Sequence, residues 1–287
     1  VQGMRIETCH LVAKRLAWLL SDVLRVRGKL VEENLSHSFP EMSQRDRRRL
    51  ARAMWEHLML LVVEVAHAPR KIHETNWRDH VQLNGVEDLV RILLGNRPVI
   101  LITGHFGNFE LGGFLLGILG FPTYSVARTL DNPYLHRFVE RFRGMTGQHI
   151  IPKNGGYDQI LAVLGSAGTM GFLADQAAGR KDCWVEFFGR PASTYKAIAL
   201  MSLQHDAPMA VCYARRLDRP LQFEMVTSAI ADPRDAGEGV GSVHELTQWY
   251  TTELEKAIRL YPEQYWWIHR RWKDRGGKRP AASKKAA

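Results

Sequence analysis

The sequence predicts an α/β fold behind a helical N-terminal region, and three observations carry that prediction. Apolar side chains between residues 5 and 70 recur at three- and four-residue spacing. From residue 81 the texture changes to short apolar runs alternating with helical stretches. The chain has 287 residues, 45% hydrophobic and 24% charged. That is enough to bury a large core, and too apolar for disorder.

Taken in order, Cys9, Val12, Leu16, Leu19, Leu20, Val23 and Val26 form one apolar stripe among basic residues. Such a stripe packs into a core or lies against a membrane surface. Pro40 interrupts the pattern, and Ser43 opens a strongly basic helix over 44–66 with Leu50, Met54, Leu58, Leu61, Val62 and Val65 on its apolar side. Residues 99–103 read as a buried strand, 108–119 as a helix and 123–127 as a second strand. A helix is expected over 132–145 with Leu135, Phe138, Val139 and Phe142 inward. Strands follow at 149–151 and 169–174, around a helix at 157–164. The chain continues with a helix at 193–205, strands at 209–214 and 222–227, a Pro/Gly-rich loop at 232–241 and a closing helix at 242–260. Strands alternating with helices imply a sheet with helices packed against it. The organisation expected is a helical region over 1–75, an α/β core over 76–273 and a basic tail over 274–287.

The net charge of +9 is unevenly distributed. From Arg270 onward there are eight Lys/Arg against Asp274 alone, a net +7, which leaves about +2 for the rest. A basic tail suits anionic lipid, nucleic acid or an acidic protein. Tyr265-Trp266-Trp267, just before it, is a ring type enriched at membrane interfaces, and equally a core aromatic cluster. No helix-turn-helix, RNA-binding or zinc-finger signature accompanies the tail, so no nucleic-acid partner is expected. The run from Leu58 to Val63 ends at Glu64, far short of the roughly 20 apolar residues of a spanning helix. The chain starts at Val1 without initiator Met or signal peptide. Three scattered cysteines and 12 histidines without metal-ligand spacing predict no disulfide scaffold and no metal.

Sites in α/β sheets sit beyond the carboxyl ends of strands. There the sequence reads Thr103-Gly104-His105-Phe106-Gly107-Asn108-Phe109-Glu110. Five residues on one ideal helix separate side chains by about 140°. His105 is therefore expected in the strand-to-helix turn and Glu110 in the first turns of the helix, where the carboxylate would orient the imidazole and raise its basicity. The alternative is a satisfied core histidine and an acidic residue stabilised by the helix dipole.

The segment GHFGNFELGG resembles the HX4(D/E) motif of the glycerolipid acyltransferase superfamily, and is most similar to the bacterial lipid A biosynthesis (lauroyl/myristoyl) acyltransferases. Further stretches match in order. Asn34-Leu35 and Phe39-Pro40-Glu41 fit the N-terminal pattern, and Arg128-Thr129-Leu130-Asp131-Asn132-Pro133 resembles the arginine block. Arg143 with Gly147 fits an R-x3-G segment, and Ala174-Asp175-Gln176 with Phe187-Phe188-Gly189 resembles the DQ…FFG stretch. Residues 261–273 resemble the terminal PEQ…W.HRR.K signature. The resemblance spans residues 30–273. It departs in lacking the family's usual N-terminal membrane helix and in placing Glu186 before Phe187.

The resemblance implies a mixed β-sheet flanked by helices. It also implies transfer of a fatty acyl group from a thioester, usually of acyl carrier protein, otherwise of CoA, to a hydroxyl of a lipid A precursor or related membrane glycolipid, with no further cofactor. In that chemistry His105 would take the acceptor proton, Glu110 would stabilise the imidazolium, and backbone N–H groups of Gly107 and Asn108 would face the oxyanion. Arg128 and Arg143 suit phosphate, on a glycolipid or on a phosphopantetheine arm, or are surface residues. Asp175 is expected to organise the site by pairing with one of these arginines. Phe187 and Phe188 suit core or acyl wall alike. The expected location is the cytoplasmic face of the bacterial inner membrane, peripheral or anchored by a segment preceding Val1, with the basic aromatic C-terminus and the N-terminal helices as contacts. Two other classes compete: a (thio)esterase using the same His/Glu pair on water, and a non-catalytic anionic-membrane-binding protein.

Overall fold

The computed structural model of the chain describes residues 3–179, 181–235 and 240–273. The expected tail, 274–287, lies outside the described residues. The N-terminal helices are α1 (Ile6–Trp18), continued by a π-helical turn at Leu19–Val23, α2 (Gly28–Ser38) and α3 (Gln44–Lys71). The Ser43 hydroxyl caps α3 by accepting from the Asp46 N–H at 3.2 Å, a contact of about 1 kcal/mol.

After β1 (Val81–Asn84) and α4 (Glu87–Leu93) the chain alternates β2 (Val99–Thr103), α5 (Phe109–Ile118), β3 (Thr123–Ala127), α6 (Pro133–Gly144), β4 (Gln148–Pro152), α7 (Tyr157–Gly165) and β5 (Thr169–Leu173). A hairpin, β6 (Cys183–Phe187) and β7 (Arg190–Thr194), precedes α8 (Lys196–Gln204), β8 (Met209–Arg216), β9 (Phe223–Ala231) and α9 (Val243–Leu260). The described strands form a seven-stranded sheet ordered β1-β9-β8-β2-β5-β3-β4, with the hairpin apart. β8 and β9 pair antiparallel and the other sheet pairs are parallel, so the sheet is mixed as expected. No strand is expected from the sequence over the hairpin, and its last two residues, Ser193 and Thr194, fall where the helix at 193–205 is expected to begin. Its short run Cys183–Phe187 carries a charge at Glu186 and lacks clean alternation.

The packing of β2 shows why its sequence is apolar from Val99 to Ile102. Val99 and Leu101 join a cluster with Leu61 and Val65 of α3 and Leu111 and Leu115 of α5. Ile100 and Ile102 join the opposite one, with Ile198 of α8 and Tyr250 of α9. A strand covered on both faces has no solvent side on which to place polar residues. Because α3 contributes to the same cluster as the sheet, the helical region and the sheet share a core.

Two expected apolar faces are turned outward. On α1 the small residues Cys9, Ala13 and Ala17, four apart, are buried, and α1 packs on α3. Small side chains permit close helix approach, and this rotates the larger ones away. Val12, Leu16, Leu19 and Val23 of the expected stripe are exposed, beside Leu11 at 63% and Trp18 at 51%. On α6 only Phe142 is buried, while Tyr134, Leu135 and Phe138 are exposed. On α3 Met54, Leu58, Leu61 and Val65 are buried as expected, whereas Val62 faces out.

The C-terminal aromatics are core. Tyr265 and Trp267 are buried and pack edge-on at 4.8 Å, and Phe187 and Phe188 join the same cluster. Arg271, counted by sequence with the basic tail, is also buried and donates to the Ser193 carbonyl at 2.7 Å and to the Thr194 hydroxyl at 2.6 Å. No described helix is long and apolar enough to cross a membrane.

Candidate active site

The site begins with strand register. β2 and β5 run parallel with Thr103 opposite Leu173, and the Ala174 N–H donates to the Thr103 carbonyl at 2.8 Å. The next residues along each strand, Gly104-His105 and Ala174-Asp175, therefore leave the sheet side by side. The Asp175 carboxylate accepts from His105 twice: Nδ1–H to Oδ1 at 2.8 Å and the backbone N–H to Oδ2 at 2.9 Å. Gly104 permits this closeness, because a Cβ there would stand 3.2 Å from Asp175 Cβ and Cγ.

Asp175 is fully buried. Burial alone would raise its carboxyl, but electrostatic attraction to the His105 ring and the hydrogen bonds from it outweigh that and bring it down to about 2. An ionised carboxylate on Nδ1 fixes the imidazole tautomer with its lone pair on Nε2. That atom stands 3.3 Å from the Gln176 side-chain amide nitrogen, which donates to it. Phe109, Trp266 and His269 surround the ring at centroid distances of 5.1, 5.0 and 4.6 Å. Burial and the neighbouring His105 pull His269 down to about 4, so it stands neutral beside the dyad.

Glu110 sits in the first turn of α5, as expected, but its partner differs. The Arg143 guanidinium from α6 holds it bidentately, at 2.9 and 2.6 Å, with both side chains largely buried. The expected His105–Glu110 pairing and the expected Asp175–arginine pairing are thus exchanged. Five residues of a turn and helix start point Glu110 toward α6, while the register of β5 delivers Asp175 to the imidazole. Arg143 is neither a surface residue nor a free phosphate ligand. Arg128 is exposed and meets Asp131 at 3.6 Å, away from this pair.

The expected oxyanion donors are also engaged. The Gly107 N–H donates to the Gln264 carbonyl at 3.0 Å and the Asn108 N–H to the Ala214 carbonyl at 2.7 Å. Gly107 has φ +59°, and a Cβ would lie 2.2 Å from the Ala214 oxygen, so this position requires glycine. Asn108 also caps α5, its side-chain oxygen accepting from the Leu111 N–H at 3.1 Å. The loop after β2 is held too tightly by β8 and the C-terminal segment for those two amides to face a ligand.

Between α5 and the sheet runs a cavity of about 880 Å³ including its opening, lined by Leu101, Leu116, Phe172 and Met225 and, among polar groups, by Glu110 and Arg143. Phe109 lines it as well, so the cavity and the His105 ring share a wall. Gln176, Trp266 and His269 are not among the site residues expected from the sequence, although all three fall inside its matching stretches. A signal existed there, but only proximity to His105 gives it meaning.

The family model described as bacterial lipid A biosynthesis acyltransferase matches residues 3–274. The chain is 26% identical over 268 residues to the lipid A biosynthesis palmitoleoyltransferase of Escherichia coli K12, covering 91% of this chain and 83% of that protein. It is 26% identical over 260 residues to the lauroyltransferase of the same organism (88% and 81%) and 24% identical over 246 residues to its myristoyltransferase (82% and 72%). Among solved structures it is similar to the 1-acyl-sn-glycerophosphate acyltransferase of Thermotoga maritima, with TM-score 0.40 and 12% identity over 91% of this chain and 99% of that one. With a family match running almost from end to end, the chain belongs to the bacterial lipid A biosynthesis acyltransferases.

Proposed function

We propose that this acyltransferase moves a fatty acyl group from the thioester of acyl carrier protein to a hydroxyl of a lipid A precursor, with His105 as general base. The observation that carries the reading is the His105–Asp175 pair, because it leaves Nε2 as a lone-pair nitrogen at the strand ends. A neutral alcohol attacks a thioester poorly, and a positioned base is worth about 10²- to 10⁴-fold. The acceptor oxygen attacks the thioester carbonyl carbon as Nε2 takes its proton, and Asp175 stabilises the imidazolium. Collapse of the tetrahedral intermediate breaks the C–S bond, and the imidazolium returns the proton to the departing thiolate. The products are an ester and a free thiol, and the chemistry asks for no cofactor besides the thioester. The Gln176 amide, already beside Nε2, is a donor for the developing oxyanion in place of the engaged Gly107 and Asn108 amides. The apolar cavity suits an acyl chain, and the Glu110–Arg143 pair gives it one polar stretch of wall.

The reading puts the enzyme on the cytoplasmic face of the bacterial inner membrane. Two outward apolar faces support this, each set among cations: Leu11, Leu16, Trp18 and Leu24 beside Lys14 and Arg15, and Tyr134, Leu135 and Phe138 beside Arg137 and Arg141. Apolar side chains flanked by Lys/Arg are what an anionic interface binds.

The deciding experiment is acyl transfer in detergent with acyl carrier protein and CoA thioesters and a panel of bacterial lipids. Wild type is expected to acylate a lipid A precursor, and His105→Ala to lose at least about a hundredfold in kcat. Near-normal turnover by His105→Ala would remove the base assignment. Release of free fatty acid alone would turn the reading toward a hydrolase, and CoA thioesters outperforming the carrier protein would change the donor.

A further inference from the structure

Against Gly107 and Asn108 of the His105 loop lies a second polar cluster that the chemistry above does not use. Glu64 and His57 stand seven residues apart, hence on one face of α3, and both are buried, Glu64 completely. The Arg216 guanidinium, at the carboxyl end of β8, pairs with both Glu64 carboxylate oxygens, the Nη2 contact at 2.7 Å. Its Nη1 donates to His57 Nδ1 at 2.7 Å. That donation fixes the imidazole with its proton on Nε2, and Nε2–H then donates to the Gly107 carbonyl at 3.1 Å. Burial and the Arg216 charge hold His57 well below its usual range, which keeps it neutral. Glu64 accepts in addition from the Asn108 side-chain amide at 2.8 Å. Gln264 completes the frame: its side chain exchanges hydrogen bonds with the Arg216 backbone at 2.9 and 3.0 Å, while its carbonyl takes the Gly107 N–H.

We propose that Glu64, Arg216 and His57 are positioning residues that set the His105 loop, making α3 part of the catalytic apparatus rather than a helix that only covers the sheet. The polar groups of the loop are saturated. Gly107 is held by both its N–H and its carbonyl, and Asn108 by its N–H and both side-chain polar atoms. The loop two residues after His105 therefore has no freedom unless this cluster gives way. A charged pair placed where apolar residues would pack as well is weak evidence for stability. Here Glu64 ends on the Asn108 amide and His57 on the Gly107 carbonyl, with Arg216 holding both, and apolar residues would leave those two loop groups unpaired. A displacement of about 1 Å at a reacting group lowers turnover about a hundredfold.

The proposal rests on His105 being the base, and its test keeps the two separable. Glu64→Gln and His57→Asn are made in the full chain, alongside Asp232→Asn, which breaks the peripheral Arg97–Asp232 pair. Kinetics are read together with the His105 ring by ¹⁵N NMR. Glu64→Gln is expected to lower kcat about tenfold or more with donor and acceptor KM within about threefold, His57→Asn less, and Asp232→Asn not at all. The His105 nitrogen shifts should move in both α3 variants and stay in place for Asp232→Asn. Unchanged kcat and unchanged His105 shifts in the folded variants overturn the proposal, as does a KM rise that accounts for the whole loss. If Glu64→Gln does not fold, His57→Asn alone carries the test, because it removes a neutral group. A failure of the base reading shows instead as an active His105→Ala enzyme.

Discussion

Asp175–His105 and Glu110–Arg143 each join a carboxylate to a nitrogen side chain near the carboxyl edge of the sheet, and they arise in opposite ways. The first joins residues 70 apart because two adjacent strands end in register. The second uses the residue five along from His105, yet sends its carboxylate 33 residues ahead to α6. Nearness in sequence supplied a partner for the histidine on paper, and the sheet supplied a different one. In an α/β protein, strand register is the stronger guide to who meets at the strand ends.

The largest effect should come from swapping the roles of the two carboxylates. Asp175→Asn replaces an acceptor with an amide, inverts the favoured His105 tautomer and is expected to lower kcat about 10³- to 10⁴-fold, whereas Glu110→Gln should lower it less than about tenfold. Initial rates at saturating donor and acceptor decide this, and equal losses would mean that Glu110 acts directly in the chemistry. Glu110→Gln should act mainly on the fold, since it leaves Arg143 largely buried without its counter-charge. A drop of several degrees in melting temperature, larger than for Asp206→Asn at the exposed Arg234–Asp206 pair, is the expected reading.

Acid should separate the buried histidines from the dyad carboxylate. His269, near 4, and His57, held well below its usual range by burial and the Arg216 charge, are neutral when folded, whereas in the unfolded chain each takes a proton near 6.5. Their contribution is complete above about pH 6.5 and lost as pH falls toward 4, of order 3 kcal/mol for His269. Asp175, brought from 3.8 to about 2, loses its contribution only below about pH 4. Urea midpoints measured from pH 7 to 4.5 should fall steadily, and a flat profile would contradict the two neutral histidines. The smallest effect should come from the outward face of α6. Leu135→Ser with Phe138→Ser should weaken binding to anionic vesicles a few-fold without changing turnover in detergent. Unchanged vesicle binding would leave α1 as the contact.

The elements bearing the site were legible because their signals are local. The apolar run starting at Val99, Ser43 at the start of its helix and the glycines around His105 each act within a few residues. His105 and Asp175 were legible as residues of the candidate site, and the family from motifs in order. The faces of α1 and α6 were not. Periodicity shows that an apolar face exists, but not whether another element covers it, and here the small Cys9, Ala13 and Ala17 took the packed side. Nor were the engaged Gly107 and Asn108 amides legible, since their acceptors come from β8 and the C-terminal segment.

By itself, then, the sequence determined the fold class, the strand-to-helix turn carrying His105 and the family, because these depend on spacing along the chain. The tertiary structure decided which carboxylate serves the histidine, which amides are free and which aromatics are core. Those outcomes depend on register between strands and on helix rotation, set by groups dozens to hundreds of residues away.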